Sequence, residues 1–269
     1  MGKNIKGLTF GTLVASLLVA GSALASGTSG SAPSVPKAHW GYSGSEGPSN
    51  WGKLSTAYAL CSSGHQQSPV NITKPQHAGM ATFDIDYRST PLNIVNNGHT
   101  IQVNIAPGSS MTVGHRKYQL LQFHFHTPSE NIVSGQAYPM EVHFVHKDQD
   151  GNLGVLGVFF KQGAENLALG EIWSKMPTSV NAVQAHKKIA VNALDLVPDN
   201  RDYYRFLGSL TTPPCSEGVQ WHVAKTPIEA SAGQISKFTS LIGQNARPVQ
   251  QLGHRLLIDS SAGSGGSAH

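Results

Sequence analysis

The sequence predicts a single mixed domain dominated by β-strands, with a few short helices at its surface. Three observations carry that expectation. The chain has 29 glycines and 15 prolines in 269 residues, a density of turn formers that suits many short strands. Apolar residues recur at every second position in several stretches, the period of a strand with one buried face. Helical spacing is confined to two segments, Asn166 to Lys175 and Ser231 to Ile242. Hydrophobic residues make up 39% of the chain, enough for a sizeable core, and charged residues only 13%, which argues against disorder or a coiled coil.

The first 25 residues read as an export signal. Lys3 and Lys6 precede an apolar run from Gly7 to Ala20, too short to span a membrane convincingly, and Ala23-Leu24-Ala25 fits a cleavage site. An uncleaved N-terminal anchor is the alternative. Residues 26–38 are rich in Ser, Gly and Pro and read as a flexible linker. The domain is expected over residues 39–259, followed by a disordered tail at 260–269 rich in Gly, Ser and Ala. Within the domain, Trp51 to Cys61 reads as a short helix or irregular segment. Gln67 to Ile72 reads as a turn entering a strand, and Phe83 to Tyr87 as a strand. Leu92 to Asn96 and Thr100 to Ile105 flank the hairpin signal Asn97-Gly98. Strands follow at Met111 to Val113, Lys117 to His126, Met140 to His146 and, almost continuously apolar, Leu153 to Lys161. Tyr203 to Leu210 leads to Thr211-Thr212-Pro213-Pro214, and Val219 to Val223 alternates again.

Charge and cysteine content exclude some functions. The signal carries two lysines and no acid, so the formal charge falls from +4 to +2 after its removal. With no basic run and no aromatic stacking platform, nothing points to nucleic acid, and after cleavage nothing points to a membrane. Cys61 and Cys215 are the only cysteines. In an exported chain one pair reads most simply as a disulfide, with two free thiols or a cysteine metal site as the alternatives.

The chemistry centres on Gln122-Phe123-His124-Phe125-His126. On a strand the two histidines share one face, with Cβ atoms roughly 7 Å apart, and the two phenylalanines share the other. Glu141-Val142-His143-Phe144-Val145-His146 repeats the alternation. If the two strands pair, His143 joins His124 and His126, and three neutral imidazoles with an open fourth position suit a catalytic zinc. Gln122 and Glu141 each lie two residues before a histidine, on its face, where a partner for the second ring N–H belongs. His146 falls on the opposite face and reads as a core histidine with a hydrogen bond.

The motifs just quoted, with Gln67-Ser68-Pro69-Val70-Asn71-Ile72, Asn96-Asn97-Gly98-His99, Pro128-Ser129-Glu130, Gly208 to Pro214 and Asn245-Ala246-Arg247-Pro248, resemble the alpha-class carbonic anhydrases, in the form exported by bacteria. The resemblance runs from about Trp40 to Ile258. It implies a large, mostly antiparallel, strongly twisted sheet with zinc at the bottom of a conical cavity, and reversible hydration of CO2 to hydrogencarbonate by zinc-bound hydroxide. By correspondence, His124, His126 and His143 are the zinc ligands, backed by Gln122 and Glu141. Thr211 accepts a hydrogen bond from the nucleophile and donates its own to Glu130, and His99 is the proton shuttle. Val145, Val155, Leu210 and Trp221 form the apolar wall for CO2, with Thr211 and Thr212 contacting substrate or inhibitor anions. The resemblance also implies a Cys61–Cys215 disulfide, cis bonds at Ser68–Pro69 and Pro213–Pro214, inhibition by anions and sulfonamides, and a homodimer as an open option. Thr127-Pro128 after His126, a short loop to Glu130, and Asn131 depart from the animal enzymes. The competing readings are a zinc esterase, a non-catalytic binding module of the same fold, and a periplasmic zinc buffer. Retention of all three histidines with oriented partners disfavours the last two.

Overall fold

The alternating stretches become the strands of one 13-stranded sheet. In a computed structural model describing residues 39–80 and 83–261, the order from one edge is Val183–Val191, Thr90–Asn96, Ile101–Asn104, Arg116–His126, Met140–Lys147, Leu153–Gln162, Glu217–Ala224, Tyr203–Ser209, Ile258–Asp259 and Gln76–His77. Ser110–Val113 and Asp84–Asp86 extend the N-terminal half of Arg116–His126, and Ile228–Ala230 lies beside Leu153–Gln162. Pairing is antiparallel except where Leu153–Gln162 meets Glu217–Ala224 and Ile228–Ala230, and where Ile258–Asp259 meets Gln76–His77. Leu153–Gln162 has both faces covered, which is why it reads as an apolar run rather than an alternation. A separate two-stranded pair joins Asn71–Ile72 to Ile132–Val133.

The two sheet faces bury different clusters. Leu120, Phe123, Phe125, Val142, Phe144, Leu156, Val158 and Phe160 belong to the main core. Val155, Phe159, Val219, Trp221 and Val223 belong to a second cluster on the other face. A β-bulge between Leu120 and Gln122 lets one strand serve both patterns. Before it, the even-numbered Leu120 points to the main core; after it, the odd-numbered Phe123 and Phe125 do, and the even-numbered histidines turn to the other face.

The helices are peripheral and short. Leu167–Trp173 is N-capped by Asn166, whose side chain accepts from the Leu169 N–H. Ala232–Ile242 opens with a capping box in which Ser231 accepts from the Gln234 N–H and Gln234 accepts from the Ser231 N–H. Trp51 to Cys61 resolves into two four-residue helices, Trp51–Leu54 and Leu60–Ser63, separated by a 3-10 turn. The edge strand Val183–Val191 escapes sequence reading because it is mostly exposed, so no polar–apolar alternation is imposed on it. Cys61 and Cys215 form a disulfide, and Ser68–Pro69 and Pro213–Pro214 are cis, as is Thr127–Pro128.

Ser260 and Ser261, assigned to the tail by the sequence, are held by hydrogen bonds. Ser260 is buried, and its Oγ accepts from the Tyr203 N–H while its own N–H donates to the Tyr203 carbonyl. Ser261 hydrogen-bonds Asp259 and Lys225. These bonds extend the ordered chain because Ile258–Asp259 is itself a sheet strand. The expected signal (1–25), linker (26–38) and remaining tail (262–269) lie outside the described residues.

Candidate active site

Antiparallel pairing sets His124 opposite His143 and His126 opposite Glu141. The ring centroids of His124, His126 and His143 lie 5.1, 5.5 and 4.5 Å apart, and one nitrogen from each falls within 4.8 Å of the others. The opposite nitrogens are engaged. His124 Nδ1 meets Gln122 Oε1 at 2.8 Å, and His126 Nδ1 meets the Asn245 carbonyl at 2.8 Å. His143 Nε2 lies 3.1 Å from Glu141 Oε1, close but not aligned as a hydrogen bond. These contacts leave Nε2 of His124, Nε2 of His126 and Nδ1 of His143 for the common centre.

The donor set fits a zinc ion. Burial, reinforced by the neighbouring imidazoles, holds the pKa of His124 and His143 well below the usual value, and burial lowers that of His126 to about 4. All three rings are therefore neutral near pH 7 and present lone pairs. His126 Nε2 is buried with no hydrogen-bond partner among the described residues, an acceptor that a cation would satisfy.

The carboxylates behind the triad are tightly held. Glu141 accepts from the Glu130 and Asn131 N–H groups and from Asn131 Nδ2, each at 2.9 Å. Glu130 Oε1 accepts from the Arg247 N–H at 2.8 Å. The Thr211 side chain hydrogen-bonds the same carboxyl, loosely enough that Oε2 has no well-aligned partner. That oxygen sits 3.5 Å from His126 Nε2 and 3.8 Å from His143 Nδ1. Burial raises the pKa of Glu130 to about 8 and that of Glu141 to about 7.

The triad opens into a cavity of about 170 Å³. Val145, Val155, Leu210 and Trp221 line one side with Thr211 and Thr212, and Asn97, Thr100, Gln102 and Gln122 give a polar side. His99 stands in the wall, stacked on Trp40 with centroids 3.7 Å apart and planes 7° apart. His99, Gln122, the three histidines, Val145, Val155, Leu210, Thr211, Thr212 and Trp221 thus share one cavity, with Glu130 and Glu141 behind it. Sequence reasoning missed the Asn245 carbonyl, the Asn131 clamp on Glu141, the Arg247 N–H and the Trp40 platform. Asn245 and Arg247 stand in a quoted motif, but a backbone contact has no sequence signature, and Trp40 lies far from His99 along the chain. His146, as expected, is a core residue, with Nε2 2.7 Å from the Tyr87 hydroxyl.

Fold and site together define a protein built on one large twisted sheet, with a three-histidine group that could hold a metal ion. Residues 46–261 match the family model for eukaryotic-type carbonic anhydrases. A carbonic anhydrase of Pectobacterium carotovorum is 44% identical over 230 residues, covering 85% of this chain and 93% of that protein. One from Neisseria gonorrhoeae is 43% identical over 253 residues, covering 93% and 98%. A solved structure of the alpha-carbonic anhydrase of Thermovibrio ammonificans, in complex with the inhibitor sulfanilamide, superposes with a TM-score of 0.80 at 47% identity, covering 82% of this chain and 99% of that one. The chain belongs to the alpha carbonic anhydrase family, and it is an enzyme of that activity.

Proposed function

We propose that His124, His126 and His143 hold a zinc ion and that this centre hydrates CO2 reversibly to hydrogencarbonate and a proton. The observation that carries the reading is the triad itself: three neutral imidazoles, two buried and His124 half-buried, with the outer nitrogens of His124 and His126 hydrogen-bonded, that of His143 3.1 Å from Glu141, and one nitrogen of each within 4.8 Å of the others. When bound, zinc supplies Lewis acidity that makes water nucleophilic at neutral pH, an effect for which this family is itself the standard example. The remaining work belongs to the chain. The Thr211 hydroxyl, having donated to Glu130, can only accept from the attacking oxygen, which turns a lone pair toward the substrate carbon. Val145, Val155, Leu210 and Trp221 offer CO2, which is apolar, a wall without competing hydrogen bonds. Thr211 and Thr212 line the same cavity, where a backbone N–H would suit the anionic product. His99 carries the released proton outward: it stands in the cavity wall, and imidazole is the side chain suited to exchanging protons at neutral pH. Sulfonamides should enter by the same cavity. The disulfide and the expected signal support an exported protein.

Stopped-flow CO2 hydration tests the assignment of roles. Thr211→Ala should lose about 100-fold in kcat/KM at unchanged zinc content, in the range usual for a lost transition-state contact. Activity equal to the parent would remove Thr211 from the mechanism.

A further inference from the structure

Arg247 carries a buried charge behind the active site, with only 2% of the residue exposed. Its guanidinium is held by neutral acceptors. Nη1 donates to Gln67 Oε1 at 2.9 Å and to the Ser68 carbonyl at 2.8 Å, and Nη2 donates to the Cys61 carbonyl at 2.9 Å. The Trp51 ring lies 5.6 Å from its Cζ. A buried cation bonded to neutral groups is a costly way to fill a core, so its use is to be sought in what it holds in place.

The main chain of the same residue reaches the active site. Its N–H donates to Glu130 Oε1 at 2.8 Å, and Glu130 takes the hydrogen bond of the Thr211 side chain. The segment that presents this N–H lies outside any helix or named strand. At one end the Asn245 N–H donates to the Thr127 carbonyl at 3.0 Å, and at the other the Gln250 N–H donates to the Pro69 carbonyl at 2.8 Å. Between them Ala246, Pro248 and Val249 have no polar side-chain group, so the guanidinium is the side-chain anchor of the span. A planar guanidinium bonded to three acceptors has little freedom to turn, and it fixes where its own N–H points. Without that donor the Glu130 carboxyl could rotate. The Thr211 hydroxyl would then be free to donate to the attacking oxygen instead of accepting from it.

We propose that the Arg247 guanidinium is a positioning group for the reaction: by locking its own backbone N–H on Glu130, it keeps Thr211 an acceptor. The inference rests on the orienting role of Thr211. A double-mutant cycle of Arg247→Met and Thr211→Ala, read as kcat/KM for CO2 hydration per bound zinc, tests it. Arg247→Met should lose about tenfold or more in the parent, the range of other outer partners, and nothing further in the Thr211→Ala background. A role in stability alone would cost the same in both. Ligand affinity gives a readout independent of turnover. Arg247→Met should weaken sulfonamide binding relative to thiocyanate, because only a ligand that carries an N–H can donate to Thr211. The two failures are separable. Thr211→Ala with parent activity would remove Thr211 from the mechanism, and the proposal with it. A loss in Thr211→Ala without one in Arg247→Met, equal losses in both backgrounds, or a parallel change for both ligands would overturn the role of Arg247 alone. Should Arg247→Met fail to fold, Gln67→Met, which removes one acceptor of the guanidinium, goes through the same cycle and the same outcomes decide.

Discussion

His126 divides its two nitrogens between a backbone carbonyl and the cavity, His124 does so with Gln122, and His143 keeps Nε2 3.1 Å from Glu141. At the scale of single residues, the site is therefore a set of rings with fixed orientation rather than three histidines that happen to be close. Partners of this kind usually contribute 10- to 100-fold to metal affinity, so Gln122→Ala should weaken zinc binding by roughly that factor while the fold persists. Competition against a chelator of known affinity measures it, and an unchanged affinity would mean that Gln122 does not orient His124. Glu130 and Glu141 give a second prediction. Their pKa values are raised by burial to about 8 and about 7, so without metal both carry protons part of the time near pH 7. A divalent cation beside them favours the ionised form. His124, His126 and His143 are already neutral, so a metal would displace no ionisable proton from them. Zinc binding at pH 7 should thus release protons from the carboxyls and tighten as pH rises toward 8. Calorimetry in buffers of different ionisation enthalpy reads this directly, and no proton release would show the carboxyls ionised beforehand. His99→Ala should slow turnover and be restored by imidazole buffer, whereas indifference to imidazole would remove His99 as the shuttle.

At the scale of elements, much of the site was legible because a strand shows every second residue to one face. His124, His126, Phe123 and Phe125 sort themselves by that rule alone. What the rule omits is the bulge before Gln122, which leaves no mark in composition yet decides which face the histidines take. Gly157 is another such position. It lies opposite His143 in the neighbouring strand, and a Cβ there would come within 2.7 Å of Glu141 Oε1. Gly157→Ala should displace that carboxyl and reduce zinc affinity by about tenfold with the sheet retained, in line with a lost outer partner. Zinc affinity equal to the parent would show that Glu141 has room to yield. The Cys61–Cys215 bond ties the segment carrying Thr211 to the N-terminal helices across a separation of 154 residues. In the chain-entropy account a loop this long is worth on the order of 5 kcal/mol. Reductant should lower the melting temperature markedly, and an unchanged melting curve would contradict a structural role for the bond.

For the whole molecule, buried titratable groups set a pH dependence with two opposing arms. His146 and His222 have pKa values lowered to about 4 and about 3, first by burial, so the unfolded chain binds more protons than the folded one between those values and 6.5. Their contribution is present above pH 6.5 and is lost as pH falls through 4. Glu130 and Glu141 act in the opposite sense: in the metal-free protein, stability falls as pH rises from 4.5 through 7 to 8. Denaturant unfolding of the metal-free protein should therefore peak in mildly acidic solution, and zinc should flatten the upper arm by favouring the ionised carboxylates. A metal-free protein most stable at pH 8 would contradict this assignment of buried groups. The global sheet was legible in outline from turn density and alternation, but its edge strand Val183–Val191 was not, since an exposed strand carries no burial pattern. The central claim is that three imidazoles share one zinc and that this zinc hydrates CO2. Metal content and stopped-flow CO2 hydration, measured on the same preparations of the parent and His143→Ala, test it most directly. The account predicts one zinc per chain and chelator-sensitive activity in the parent, and loss of both in the variant. Full activity in a zinc-free parent, or an active His143→Ala protein, would contradict it.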